Sequence, residues 1–170
     1  MTENILNDPR ITAIGLLVET HTGLSARFAA QFEAHGLSAV EFEVLMRLAR
    51  SPGQQLRMTD LAAQTSLSTS GVTRVVDRME RDDLVCRRAC PSDRRSSFAT
   101  LTDSGKQRLN QTLPGHLELI EQWFTGQMTA PALRNLLDGL RTVRDAVHPG
   151  AVAGSAEPAQ SAAEHPPSVA

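Results

Sequence analysis

Hydroxyl and guanidinium groups recur along residues 68–81 at the spacing of one helix face. The segment reads Ser68-Thr69-Ser70-Gly71-Val72-Thr73-Arg74-Val75-Val76-Asp77-Arg78-Met79-Glu80-Arg81. Val72, Val75, Val76 and Met79 form an apolar stripe at helical spacing, with Ser70, Thr73, Arg74, Asp77, Arg78 and Arg81 on the other side. A helix anchored by one face and presenting Ser, Thr and Arg on the other suits the DNA major groove, where these side chains meet base edges and phosphates. Ser68, Thr69, Ser70 and Thr73 stand at the helix start, where hydroxyls and backbone N–H groups can meet phosphate oxygens. Ser68 is also the predicted cap. Arg74 and Arg78, four apart, are candidates for base or phosphate contact. The alternative is a solvated face paired with Asp77, Glu80 or Asp82. Asp77 is expected to orient an arginine, since a carboxylate facing phosphates repels. Downstream, Pro91-Ser92-Asp93-Arg94-Arg95 reads as a hairpin tip able to place guanidiniums in an adjacent minor groove. One of Arg94 and Arg95 is expected to enter the groove and the other to pair with Asp93.

Three further constellations bear on chemistry. His21 and Ser25 interrupt an otherwise apolar seam. With Phe42 and Met46 of the next helix they could line a pocket for a small molecule, or His21 could be a core histidine bonded to a backbone carbonyl or facing a second copy. Cys86 and Cys90 lie among Arg87, Arg88 and Arg94, and nearby cationic charge eases thiolate chemistry. Cys86 is expected to point into the sheet as a small apolar residue. His21, His35, His116, His148 and His165 are scattered, and neither cysteine has zinc spacing, so no metal or cofactor is expected. No nucleophile motif, phosphate loop or carboxylate pair points to an enzyme.

The elements that must position these residues follow from patterning. With 170 residues, 41% of them hydrophobic and 4% aromatic, the chain suits one helical domain with a real core. The net charge of −2 gives no global sign of nucleic-acid binding. Residues 56–102, however, carry eight arginines against six acids. No stretch approaches the roughly 18 consecutive apolar residues of a membrane span. The N-terminus lacks a signal-peptide layout, two cysteines make no disulfide framework, and the chain reads as cytoplasmic.

Asp8-Pro9 predicts the start of a helix that stops at about His35-Gly36. Ile11, Ile14, Val18, His21, Ser25, Phe28 and Phe32 form its seam. Ser38 caps a second helix, which ends at Ser51-Pro52-Gly53. Leu56-Arg57-Met58 predicts a short strand. Thr59 is the expected cap of a helix over 60–65 and Ser66-Leu67-Ser68 the turn after it. Leu84 to Arg88 and Ser97 to Leu101 predict two strands. Thr102 caps a long helix with Gly105 in its first turn and Leu109, Leu113, Leu117, Ile120 and Phe124 inward. Pro114-Gly115 should kink or divide it. A last helix after Thr129 should bury Leu133, Leu136, Leu137, Leu140, Val143 and Val147. Residues 148–170 turn to Ala, Pro, Ser and Gly and read as a disordered tail.

Taken in order, Leu61-Ala62, the segment from Ser68 to Glu80, Leu84-Val85, Asp93-Arg94-Arg95 and Leu101-Thr102-Asp103-Ser104-Gly105 resemble the MarR (multiple antibiotic resistance regulator) family of bacterial winged-helix regulators. The resemblance implies a mainly α fold (α+β winged helix). Its winged helix-turn-helix DNA-binding lobe would span 38–102, and residues 8–35 and 103–147 would be dimerisation helices. It further implies a homodimer reading a pseudo-palindromic double-stranded operator, usually as a repressor, released by a small aromatic or anionic effector. Within the wing it favours Arg95 as the braced and inserted residue. Some family members sense oxidants through cysteine, which makes a redox-sensing repressor the alternative. The family's better-known peroxide cysteine lies near the N-terminus, where this chain has none. The family often has Gly where Asp83 stands. Asp tolerates a left-handed conformation better than most residues, so the same turn is expected.

Overall fold

The computed structural model describes residues 5–90 and 93–149, and of residues 93–95 the backbone alone. Helix α1 (Pro9–Ala34) starts where expected. The Asp8 side chain accepts from the Arg10 amide, and Pro9 occupies the first turn. It ends in a left-handed Gly36 with φ +66°, and the Leu37 amide closes back on the Phe32 carbonyl at 3.0 Å. Helix α2 (Ala39–Ala49) opens with a reciprocal capping box. Ser38 Oγ accepts from the Glu41 amide, and the Glu41 carboxylate accepts from the Ser38 amide.

Strand β1 (Gln55–Arg57) runs directly into α3 (Met58–Gln64). Thr59 therefore lies inside α3 and caps nothing. Extended Arg57 is the cap, without a side-chain hydrogen bond. Ser66, at φ +53°, makes the turn into α4 (Thr69–Arg81). Asp83, at φ +55°, makes the turn out of it. The left-handed turn expected at Asp83 is present, and its neighbours hold it. The Asp83 carbonyl accepts from Thr102 Oγ1 at 2.6 Å and its carboxylate from Ser104 Oγ at 2.7 Å.

Strands β2 (Val85–Cys90) and β3 (Asp93–Leu101) are longer than the sequence indicated. The antiparallel sheet has the order β1-β3-β2, with an irregular register between Ala89 and Cys90. Helix α5 (Asp103–Trp123) begins at the Thr102 cap and continues past Pro114, so of the kink or division expected there the division does not occur. A proline inside a helix forfeits one backbone bond. Two residues earlier, the Gln31 side-chain amide donates to the Thr112 carbonyl at 2.9 Å and ties α5 to α1. Helix α6 (Ala130–Val147) starts at Thr129. His148, assigned from composition to the tail, bonds the Ala63 carbonyl at 2.8 Å; residues 150–170 of that tail lie outside the described residues.

The core is concentrated in the middle of the chain. Val44, Leu45 and Leu48 of α2, Leu61 of α3, and Val72, Val76 and Met79 of α4 are fully enclosed with Leu84, Val85, Ala99 and Leu109 around them. Val75, predicted within the buried stripe, is half-buried against this cluster. The N-terminal two-thirds of α1 and all of α6 stand outside it. Ile11, Ile14, Leu17 and Val18 are exposed, and so are Leu136, Leu140, Val143 and Val147. Burial of the α6 stripe, as the sequence predicts, is thus not achieved within one chain. Leu117, predicted inward, is 59% exposed because His116 takes its place against the core.

Candidate nucleic-acid interface

Helix α4 is fixed by its apolar stripe, so its other face is free to meet a partner. Ser68 is its cap. Extended backbone there lets Oγ accept from the Gly71 amide at 3.0 Å, and Ser70 Oγ lies 3.2 Å from Ser68 Oγ. Capping thus occupies an Oγ lone pair of Ser68 that was also assigned to DNA. Thr73 donates back to the Thr69 carbonyl at 2.8 Å. Thr69, Ser70, Thr73, Arg74 and Arg78 are all exposed on this side. Among the described residues, Arg74 has no hydrogen bond or ion pair.

Arg78 does have a partner, and none of the three acids anticipated. Its Nε lies 2.5 Å from Oε1 of Glu41, a carboxylate almost wholly enclosed at the start of α2. Burial pushes that carboxyl up. Hydrogen bonds from Ser38 and Arg78 outweigh the burial and hold it below the usual carboxylate range. Asp77 orients an arginine as expected, and the arginine is Arg87 of β2. Arg87 Nη1 lies 2.6 Å from Asp77 Oδ1 and 2.5 Å from Glu80 Oε2, and Nη2 donates to the Thr73 carbonyl at 3.2 Å. The Arg87 amide also donates to Glu80 at 2.7 Å. One guanidinium therefore clamps strand to helix and offsets one of the two negative charges that Asp77 and Glu80 bring toward the approaching phosphates.

The hairpin of β2 and β3 follows α4 as a wing. Pro91 and Ser92 of its predicted tip lie outside the described residues. Asp93, Arg94 and Arg95 are the first residues of β3, and Asp93 stands opposite Cys90. Cys86, expected to point into the sheet, is half-exposed, whereas Cys90 is buried; neither forms a disulfide. Val85 is buried, so strand alternation places Cys86 on the opposite face, and the irregular register beside Cys90 is what turns Cys90 inward.

The pocket expected from His21, Ser25, Phe42 and Met46 is not assembled within the chain. Phe42 stacks on Phe32 with ring centroids 4.3 Å apart, and Met46 packs on the core. His21 and Ser25 are exposed, and His21 stands eleven residues before Phe32, roughly 16 Å along the helix axis. The residue that joins Phe42 is His116 of α5. Its ring lies 4.7 to 5.0 Å from those of Phe28, Phe32 and Phe42. Burial lowers its pKa. His116 Nδ1 and Gln31 Oε1 are buried there without a hydrogen-bond partner. Glu41 was thus absent from the sequence reading, and Arg87 and His116 had none of these partners in it. The Ser38-x-x-Glu41 spacing was a legible signal for the first, and nothing local marked Arg87. Among the described residues no group of three His, Cys, Asp or Glu is placed to hold a metal ion, and no helix is long and apolar enough to cross a membrane.

Comparison with known proteins gives one consistent answer. The family model described as "MarR family" matches residues 35–96, which take in the whole of α4 and β2 and the first four residues of β3. The transcriptional repressor YetL of Bacillus subtilis is 37% identical over 89 residues, 52% of this chain; the chain spans only 53% of that relative's length. The transcriptional regulator MhqR of the same organism is 31% identical over 110 residues, covering 65% of this chain and 74% of the relative. Among solved structures, Sco3205 of Streptomyces coelicolor, a MarR family transcriptional regulator in complex with DNA, aligns with a TM-score of 0.75 and 32% identity. That alignment covers 81% of this chain and 87% of Sco3205.

Proposed function

The chain belongs to the MarR family of transcriptional regulators, and from that premise we propose that it is a cytoplasmic homodimer repressing transcription by binding a pseudo-palindromic operator. The observation that carries the reading is the two-sidedness of α4. Val72, Val76 and Met79 are fully enclosed, while Ser70, Thr73, Arg74 and Arg78 face outward. In this reading α4 enters the major groove and the Asp93-Arg94-Arg95 hairpin follows the backbone into the minor groove. Ser68, Thr69, Ser70 and Thr73 meet phosphates at the helix start, and Arg74 reads a base edge or a phosphate. A second copy covers the apolar faces of α1 and α6 and sets the two α4 helices one duplex turn apart.

Release by a small aromatic or anionic molecule belongs to the same reading. Its support is the junction of α1, α2 and α5, where three phenyl rings surround His116 and two buried polar atoms lack partners. Phe42 remains in that proposed site; Gln31 and His116 take the polar part first given to His21 and Ser25.

The experiment is a fluorescence-anisotropy titration of duplex DNA carrying inverted repeats from upstream of the gene. Binding should weaken steeply with salt, because each arginine on a phosphate displaces condensed counterions. Arg74→Ala should raise Kd about tenfold, the loss of one good polar contact at 1–3 kcal/mol. Salt-independent binding, or an Arg74→Ala variant equal to wild type, would remove α4 as the reading head.

A further inference from the structure

Glu41 sits where the capping of α2 meets the presenting face of α4. Its two carboxylate oxygens are divided between two tasks. Oε2 accepts from the Ser38 amide at 2.8 Å and from Ser38 Oγ at 2.7 Å, while Oε1 accepts from Arg78 Nε. The ion pair is therefore one-pronged. It takes the Nε proton of Arg78, and among the described residues neither terminal amino group of Arg78 has a partner. The Arg78 side chain stays 46% exposed although its anchor is 8% exposed. An enclosed carboxylate held by a helix cap is a rigid post, and a guanidinium gripped by Nε has lost most of its rotamer freedom before any ligand arrives. The neighbouring Phe42 stacks on Phe32 and meets the His116 ring edge-on. The first turn of α2 thus faces α4 through one residue and the α1–α5 junction through the next.

We propose that Glu41 is a positioning residue for DNA binding: it aims the two free amino groups of Arg78 at a single phosphate and makes that contact depend on where the first turn of α2 lies. The inference rests on the DNA-binding reading above and adds to it a residue that cannot itself touch DNA. It makes a counter-intuitive prediction. Removing an acid close to DNA should, by Coulomb attraction alone, strengthen binding. Loss of a positioning residue should weaken it.

The test is a double-mutant cycle on duplex affinity with Glu41→Gln, Arg78→Ala and the pair, using the full chain. Gln can still complete the capping box. Glu41→Gln should raise Kd about tenfold and make the slope of log Kd against log salt shallower by about one phosphate contact, as Arg78→Ala does. In the Arg78→Ala background the same change should alter Kd less than twofold. A merely structural Glu41 would lower the melting temperature and leave the salt slope where it was, which overturns the proposal. Tighter binding by Glu41→Gln, or equal losses in both backgrounds, overturns it too. Should Glu41→Gln fail to fold, Arg78→Lys decides, since it keeps the charge but not the Nε grip. Its Kd should approach that of Arg78→Ala, and a lysine variant binding within twofold of wild type ends the idea. Wild-type protein with no affinity for duplex at low salt would take down the DNA-binding reading as well, whereas wild-type binding with an uncoupled cycle defeats only the role of Glu41.

Discussion

His116 is enclosed by Phe28, Phe32 and Phe42, with a buried Nδ1 that finds no hydrogen-bond partner among the described residues. Burial disfavours the imidazolium, so its pKa lies below the ordinary value. The unfolded chain then takes up a proton at a higher pH than the folded one. Stability supplied by the neutral ring is complete above about pH 6.5 and is lost as pH falls from there toward the folded pKa. Glu41, whose carboxyl is also lowered, gives a loss of the same sign, but only in the more acidic carboxylate range. The two windows are separable. Thermal melts of wild type and His116→Leu at pH 7.5 and 5.5 should show a fall in melting temperature for the wild type and a smaller fall for the variant. Equal falls would assign the acid sensitivity elsewhere. Because His116 touches α1 and α2 from α5, its protonation strikes the same contact that the proposed effector would use.

At the level of elements, the start of α5 is fixed by a clearance that only glycine meets. A Cβ on Gly105 would lie 2.0 Å from the Leu84 carbonyl oxygen and 2.9 Å from Leu101 Cδ1. The obstructing atom is backbone, held between the Asp83 turn and β2, so it cannot swing away. Gly105→Ala should cost about 3 kcal/mol or more, the upper end for overpacking, although alanine is the better helix former. Urea denaturation would measure it, and a loss under 1 kcal/mol would mean that α5 can shift as a unit. This glycine could be marked from sequence as part of a motif, but its reason was not visible there, because the clash is with a residue twenty-one positions earlier. The same division runs through the rest of the chain. Asp8, Ser38, Ser68 and Thr102 were legible as caps, since capping is settled within three or four residues, whereas Thr59 was misplaced because β1 runs straight into α3. The face of α4 was legible because one strong apolar stripe fixes its opposite. The Glu41–Arg78 and Arg87–Asp77 pairs were not, since each joins separate elements. His116 escaped for a subtler reason. Leu109, Leu113, His116 and Ile120 keep helical spacing as well as a series through Leu117 does, and a hydropathy pattern prefers leucine.

On the scale of the whole molecule, the single chain leaves too much apolar surface in water. Ile14, Leu16 and Leu17 of α1 and Leu136, Leu140 and Val143 of α6 line one open groove of about 580 Å³, and Ile11 and Val18 continue it along α1. A contiguous patch of this kind marks an interface. The helices that carry it are those whose stripes the middle of the chain does not cover. A two-fold pairing through α1 and α6 would bury both stripes at once and hold two α4 helices at a fixed separation. Two copies reading two half-sites gain affinity from the link between them, by factors of about 10²–10⁴ over one copy. Ile14→Glu combined with Leu140→Glu places like charges in that groove on each subunit. Analytical ultracentrifugation should show the wild type as a dimer and the double variant as a monomer. Affinity for an inverted-repeat duplex should fall at least about a hundredfold, while affinity for an isolated half-site changes little. The α4 face is remote from both substitutions, so equal losses on half-site and full site would point to unfolding rather than to a broken pair. A double variant that stays dimeric would move the interface away from α1 and α6, and with it the means by which this fold spaces its reading helices.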